Sequence, residues 1–567
     1  MKLILTFCFL SLTLFFFNHK VQSQDIYSSL GSLANCASNN AYVKTTTHIY
    51  ISISCNSVGD ELYVSDGVQP LRLVKRINTI TNWGAALGGF LPVGNKLYFS
   101  AKDDGQNNSE IWVTDGTEAG TIKLKEIAAG SRGSDPSNLT EMNGIVYFDA
   151  YSFEYGIELW RTDGTINGTY PIIDLEEGSN GGLTANRDLH VFGNELYFCG
   201  SSSNNLFSYE LYKTDCTESG TVLVKDINAV FFNNSTYTQP SLAKYFFTYG
   251  NIVLFSASDG VHGTELWKTD GTAAGTVLVK DINSGAGDSN PAESDGHGNE
   301  YILYNNEVYF AANDGVHGIE LWKTDGTENG TVLVKDLSIE SPNYQNVSHG
   351  KPSFLTVYKD KIYCYAYTSS YDITQVSGVN KAGYQVWQSD GTSAGTTQIT
   401  FHSPPAGANP LTVCNDLLYF NIAYNAVRIL MKYDGTRLDT VTNQTNQDKY
   451  LTSSSRPVCF NDNLYVNALS TSSPLNFWRI DGSAITTSMK PSENIDENQY
   501  IISSSQLEIR SPYKILEIEI VAATGANVYA PRLSETTFDI SALSPGMYII
   551  KTYMDEKIVT KKFILAK

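Results

Sequence analysis

Histidine, acidic and cysteine side chains are the groups in this 567-residue chain whose types and spacing could do chemistry. His48, His190, His297, His349 and His402 stand isolated, whereas His262 and His317 recur in phase, each within Asp-Gly-Val-His-Gly. An in-phase residue fits a loop-building role. His297 and His349, which do not recur and fall near loops, are the better candidates for proton transfer. A histidine base needs a nucleophile within hydrogen-bond reach. No Gly-x-Ser-x-Gly elbow, phosphate loop or His-Glu-x-x-His run accompanies them. Glu265 and Glu320 also recur, and their phase favours strand-edge hydrogen bonding over acid catalysis. Glycosidase chemistry would need two carboxylates facing one cleft.

Metal chemistry has one candidate. Asp281, Asn283 and Asp288 lie in Asp-Ile-Asn-Ser-Gly-Ala-Gly-Asp, which alternates oxygen donors with flexible glycine as a Ca²⁺ loop does. The closing Glu of an EF-hand is missing, and a capped turn after a strand explains the same residues. No other cofactor signal occurs. Cysteine offers little more: Cys8 sits inside an N-terminal apolar run, and Cys36, Cys55, Cys199, Cys216, Cys364, Cys414 and Cys459 are scattered. An odd, scattered set is no disulfide framework or zinc site. Cys36 with Cys55 is a candidate bridge in an oxidising compartment. Cys199 and Cys216 would fall at opposite ends of neighbouring strands, too far apart to bond. Most of the set reads as small apolar core residues.

The elements that must position these groups come from a repeat. Glu-Leu-Trp-Lys-Thr-Asp-Gly-Thr occurs at 265–272 and again at 320–327, followed by two variable residues, Gly-Thr and an apolar run. Taking the Asp of the turn as register, the marks are Asp66, Asp115, Asp163, Asp215, Asp270, Asp325, Asp390, Asp434 and Asp481, spaced 44 to 65 residues apart. Units of about fifty residues match a four-stranded propeller blade. In the sixth unit, 307–312 is a nearly continuous apolar run expected as an inner strand buried on both faces. Residues 320–324 and 331–336 give two further strands around the Asp325–Gly326 turn. The fourth comes from the variable stretch before each inner strand, such as 352–358 in the seventh unit.

The turn residues have plain physical reasons. Asp accepts backbone N–H bonds from residues just ahead of it, and Gly takes the positive φ of a tight reversal. Trp three residues before the Asp is expected to anchor each blade on its neighbour. The structural repeat set is therefore Trp112, Asp115 and Gly116; Trp160, Asp163 and Gly164; Asp215; Trp267, Asp270 and Gly271; Trp322, Asp325 and Gly326; and Trp387, Asp390 and Gly391. Cys216 stands where the fourth unit should have Gly, and Met431 where the eighth should have Trp. On these motifs, over roughly residues 45 to 485, the chain resembles the ELWxxDGT-repeat proteins found among secreted proteins of Bacteroidetes-type bacteria. The resemblance implies a surface-exposed or secreted repeat domain and no known catalytic set.

The ends differ in character. Lys2 precedes the apolar run 3–17, and Val21-Gln22-Ser23 offers small residues for a signal peptidase, so residues 1–23 are expected to be a signal peptide cleaved before Gln24. No later run is long and apolar enough for a transmembrane helix. After a polar, turn-prone linker at 486–498, residues 499–567 carry a new β-pattern. Here Ala523-Thr524-Gly525, Asp539-Ile540-Ser541-Ala542-Leu543-Ser544-Pro545-Gly546-Met547-Tyr548 and a basic, apolar terminus ending at Lys567 resemble the type A sorting domain of the type IX secretion system. That resemblance implies export across the outer membrane by the type IX machinery, with Gly546 and Tyr548 at a turn entering a strand. The usual Pro-Asn-Pro opening is replaced by Pro491-Ser492-Glu493.

Formal charge is −20, with 17% charged residues, 35 Tyr and 25 Phe. So acidic a surface repels phosphate backbones and makes nucleic acid an unsuitable partner. The sequence thus predicts an all-β chain: a β-propeller of about eight to nine four-stranded blades at 24–485, then a small C-terminal β-sandwich. The expected function is an exported binding or adhesion module for a glycan or protein. The alternative is a secreted carbohydrate-active enzyme with its site at the channel mouth.

Overall fold

Runs of Val, Ile, Tyr and Phe punctuated by Asn-Gly and Asp-Gly pairs suit short antiparallel strands joined by tight turns. The computed structural model describes residues 27–565 apart from several segments, the longest being 202–208, 232–238, 338–349, 369–382, 401–409, 442–456 and 482–498. The chain divides into two compact units, Met1–Ile485 and Thr486–Lys567. Among the described residues the first unit holds nine four-stranded antiparallel sheets, each one blade of a β-propeller.

Blade 6 is typical: Ile302–Tyr304, Glu307–Asn313, Ile319–Thr324 and Val332–Lys335 pair in sequence order. The first strands of successive blades approach one another and so lie innermost. The apolar run at 307–312 is consequently the second strand, with a shorter strand on its axial side. It is buried because sheets pack on both of its faces: Val308 and Phe310 join a cluster with Leu254, Leu266 and Val279 of blade 5, while Tyr309 joins one with Ile362 and Cys364 of blade 7.

The nine blades coincide with the nine Asp register marks, but the ring is closed by strand exchange. Blade 9 takes Val458–Phe460, Asn463–Ala468 and Leu475–Asp481 from the end of the repeat, and its outermost strand, Tyr27–Leu33, from the beginning. Tyr27 pairs with Ile480 and Leu33 with Leu475. Arg479 Nη1 and Tyr465 Oη of blade 9 donate to the Gly67 carbonyl of blade 1, at 3.0 and 3.1 Å.

The C-terminal unit contains two antiparallel sheets. One orders Gln499–Ile502, Gln506–Arg510 and Thr537–Asp539; the other orders Asn527–Val528, Ile515–Ala522, Gly546–Met554 and Ile558–Leu565. Gly546 opens the strand that carries Tyr548, whose buried ring donates its Oη–H to the Ser544 carbonyl at 2.7 Å. Leu543 is buried beside this turn. Gly525, Lys567 and residues 1–23 lie outside the described residues.

Candidate functional site

Antiparallel four-stranded blades have two unlike ends. The first-to-second and third-to-fourth turns meet at one end; the second-to-third hairpins and the blade-to-blade connections meet at the other. The first end is tight. Asn305 and Asn306, like Asn415 and Asp416, both take positive φ, as two-residue hairpins favour.

At this end the Asp-Gly turns consume their own polar groups. Asp270 Oδ1 accepts Thr272 N at 2.9 Å and Thr272 Oγ1 at 2.7 Å, and Gly275 N donates to Thr272 Oγ1 at 3.0 Å. Those bonds hold the Asp270 carboxyl below its ordinary range. Asp115, Asp163, Asp215, Asp325 and Asp390 repeat the pattern. Gly271 has φ +89, and a Cβ there would come closer than 3.0 Å to Tyr197 Oη of the preceding blade. Gly164 meets Tyr98, and Gly391 meets Tyr309, in the same way. Cys216, at φ 71, keeps the turn with its thiol beside the Tyr147 hydroxyl.

The Trp residues are buried on the preceding blade. Trp267 clusters with Tyr197, Leu211 and Val224, Trp322 with Leu254 and Leu266, and Trp387 with Tyr309 and Leu321. Trp112 and Trp160 pack likewise on blades 1 and 2. Two further latches join the blades. The lysine ending an outer strand donates to the next turn: Lys225 to Thr276 O, Lys280 to Thr331 O and Lys335 to Thr396 O, at 2.7 to 2.8 Å. Lys75 and Lys125 do the same to Thr121 and Thr169. Tyr at the end of an inner strand donates to the next hairpin: Tyr249 to Asn306 O, Tyr304 to Asp360 O and Tyr358 to Asp416 O, at 2.5 to 2.7 Å. Sequence reasoning missed both latches, although a lysine recurring at the close of each Val-Leu-Val-Lys strand was the available signal.

The other end carries the long connections. Glu265 is fully buried there; its Oε2 accepts Ile282 N at 2.8 Å and Ser289 Oγ at 2.6 Å, and its Oε1 accepts Asn283 N at 3.2 Å. Glu320 accepts Leu337 N and Gly350 N at 2.8 and 2.7 Å. Glu61, Glu110, Glu158 and Glu210 clamp their own connections similarly. Burial raises Glu265 to about 7 and Glu320 to about 8. Gln385 takes this place in blade 7, where its Oε1 accepts Thr400 Oγ1 at 2.9 Å.

His262 Nδ1 and Asp259 Oδ2 are 2.7 Å apart at a hairpin tip, as are His317 Nδ1 and Asp314 Oδ2 in the next blade. The bond to Asp259 raises the His262 pKa. In the candidate calcium loop Asp281 Oδ2 accepts Gly285 N and Asn283 Nδ2 donates to Asp288 O, while Asp288 Oδ1 accepts Thr264 N at the start of the third strand. Among the described residues no three His, Cys, Asp or Glu are placed to share a metal ion. His190 lies on the inner strand of blade 4, its Nε2 2.8 Å from Thr248 Oγ1 of blade 5, and burial lowers its pKa to about 4. His48 Nδ1 contacts Thr47 Oγ1 at 2.8 Å. His297, His349 and His402 lie outside the described residues.

The loop-bearing end also exposes apolar side chains. Ile80, Phe153, Phe231, Val261 and Val316 are exposed there, Phe231 by 62% and Val316 by 67%. Arg132 lies over the Tyr151 ring, 3.4 Å from its centre.

Two cysteine pairs are bonded. Cys36–Cys55 joins the first two strands of blade 1, and Cys414–Cys459 joins the inner strands of blades 8 and 9. Cys36–Cys55 is the candidate bridge of the sequence, whereas Cys414–Cys459 is a pairing the sequence did not offer. Cys414 and Cys459 are distant in sequence but adjacent in space, because they sit on neighbouring blades. Cys199, Cys216 and Cys364 remain thiols.

Residues 503–566 match the family model described as the secretion system C-terminal sorting domain. No curated protein matches the chain. Among solved structures it is similar to a prolyl endopeptidase, at 10% identity and TM-score 0.38, covering 71% of this chain and 54% of that one. It is also similar to a puromycin hydrolase, at 10% identity and TM-score 0.36, covering 69% of this chain and 58% of that one. A Mycobacterium tuberculosis puromycin-hydrolyzing peptidase stands at 10% identity and TM-score 0.36, covering 68% of this chain and 57% of that one. The chain thus spans a little over half the length of these enzymes, and the likeness is too distant to carry their activity. No helix among the described residues is long and apolar enough to cross a membrane. The chain is a nine-bladed β-propeller followed by a C-terminal sorting domain of the type IX secretion system.

Proposed function

We propose that this protein is an exported binding module, released or displayed at the cell surface, whose loop-bearing end engages a glycan or protein ligand. Its repeat groups it with the ELWxxDGT-repeat proteins, and residues 1–23 act as the signal peptide that brings it to the outer-membrane machinery. The observation that carries the reading is the division of labour between side chains. The recurring Asp and Thr groups bond within their own turns and the recurring Glu groups clamp the connections, while Ile80, Phe153, Phe231, Val261 and Val316 are exposed at the end with the long connections. Exposed apolar side chains beside polar loops are the chemistry of contact rather than of proton transfer.

Thermal-shift screening of the secreted protein against a glycan library and against outer-membrane protein fractions tests the binding claim. Stabilisation that Phe231→Ala and Val316→Ser weaken supports it; stabilisation unchanged in both variants, or none with any member, refutes it. Deletion of 491–567 should hold the propeller in the periplasm. Normal export of that truncation would sink the routing claim.

A further inference from the structure

Blade 9 differs from its eight companions in two ways. It is built from both ends of the repeat, and its junction with blade 8 is covalent. At the junctions after blades 5, 6 and 7, the last residue of the inner strand is Tyr249, Tyr304 or Tyr358, and each hydroxyl donates to the carbonyl of the next hairpin. Blade 8 has Cys414 at that place, which cannot make the bond. Cys414 is joined instead to Cys459 on the inner strand of blade 9. The carbonyl of Cys459 also accepts Lys44 Nζ from the inner strand of blade 1 at 2.9 Å. One residue of the closing blade is therefore tied to both neighbours.

The second disulfide lies on the other side of the same seam. Cys36 is the first residue of the inner strand of blade 1, three positions after Leu33 ends the strand lent to blade 9. Its bond to Cys55 pins the chain where it crosses from blade 9 to blade 1. The thiols that stay unbridged, Cys199, Cys216 and Cys364, belong to blades 4 and 7, away from the seam.

We propose that Cys414–Cys459 is a redox-sensitive latch on the closing blade: as a disulfide it holds blade 9 and the N-terminal strand in the ring, and as two thiols it releases them. A disulfide confines the alternatives open to the joined segments. Blade 9 needs that confinement most, because its outer strand must be recruited from the far end of the chain, at the loop-closure cost of a long separation. Opening breaks one S–S bond. A dithiol reductant supplies two electrons and two protons, both sulfurs become thiols, and the dithiol becomes a cyclic disulfide. Closing returns the two electrons and two protons to a disulfide-bearing oxidant. The seam therefore stays shut in an oxidising compartment and loosens in a reducing one.

Amide hydrogen exchange on the full secreted protein tests this, with and without dithiothreitol. Peptides from 27–33 and 475–481 should exchange about tenfold faster or more after reduction, while those from blades 5 and 6 stay unchanged. Cys414→Ser with Cys459→Ser should show the fast seam without reductant and no further response at 475–481. Cys36→Ser with Cys55→Ser should leave that response intact. Three results would overturn the latch: equal exchange in the two redox states, a uniform increase over all blades, or no Cys414–Cys459 peptide by non-reducing mass spectrometry. Where the serine variant fails to fold, exchange of the natural protein before and after reduction decides between the same outcomes.

Discussion

Removing the Glu265 side chain should unlock one surface loop without unfolding the ring. The carboxylate accepts two backbone N–H groups, from Ile282 and Asn283, and the Ser289 hydroxyl. Ser289 Oγ also lies 3.2 Å from Thr264 O, so it retains a partner. The two amides do not. A buried donor left without an acceptor costs about 1–3 kcal/mol. Asn283 is only partly buried and can reach water, so Glu265→Ala should weaken local protection by about 2–4 kcal/mol. That corresponds to about 30- to 1,000-fold faster exchange at Ile282 and Asn283, at 1.4 kcal/mol per factor of ten. Glu265→Gln keeps one acceptor and should lose less. The acidity adds a sign. Burial raises the Glu265 carboxyl to about 7 from its ordinary value of 4.5, so its stabilising share is complete below 4.5 and lost as pH rises through 7. Protection at 282–289, corrected for intrinsic rates, should fall between pH 5.5 and 8.5 in the natural protein and stay level in Glu265→Gln. Less than threefold faster exchange in Glu265→Ala would refute the clamp, and a level pH profile in the natural protein would refute the assigned acidity.

Three other outcomes follow from named contacts. Gly271→Ala places a side chain at φ +89 against Tyr197 Oη and should destabilise by about 1–3 kcal/mol in chemical denaturation, with part of the loss recovered by Tyr197→Phe. Blade 3 has Ile173 where blade 5 has Lys280, so Ile173→Lys should restore the missing latch to the next turn and raise stability by about 0.5–1.5 kcal/mol, read as a higher denaturation midpoint. His190, lowered by burial to about 4, should show no imidazole titration by NMR above pH 5.5. Because its folded value lies below the ordinary 6.5, its share of stability is present above that value and declines as pH falls toward 4.

Much of the architecture was legible because it is local. Asp-Gly-Thr closes its own turn within three residues, so Asp270 and Thr272 announce it wherever they stand. The Trp at fixed distance from that turn announced blade packing, and Trp267, Trp322 and Trp387 all lie on the preceding blade. The candidate site was less legible. Nothing near Glu265 in sequence says that its acceptor sites fill from residues 282, 283 and 289, on a connection beyond the next strand.

Residues within one or two turns of one another were thus enough to set the strand type, the turn chemistry, the number of repeat marks and the sorting segment at the C-terminus. Only in the folded ring does it emerge that nine blades close by borrowing Tyr27–Leu33 for the ninth sheet. The same holds for the pairing of Cys414 with Cys459, and for Gly271, which must be glycine partly for the sake of a tyrosine 74 positions earlier, Tyr197. The reason is geometric. Ring closure and blade stacking join residues that share no local pattern, and the packed fold alone brings them within bonding distance.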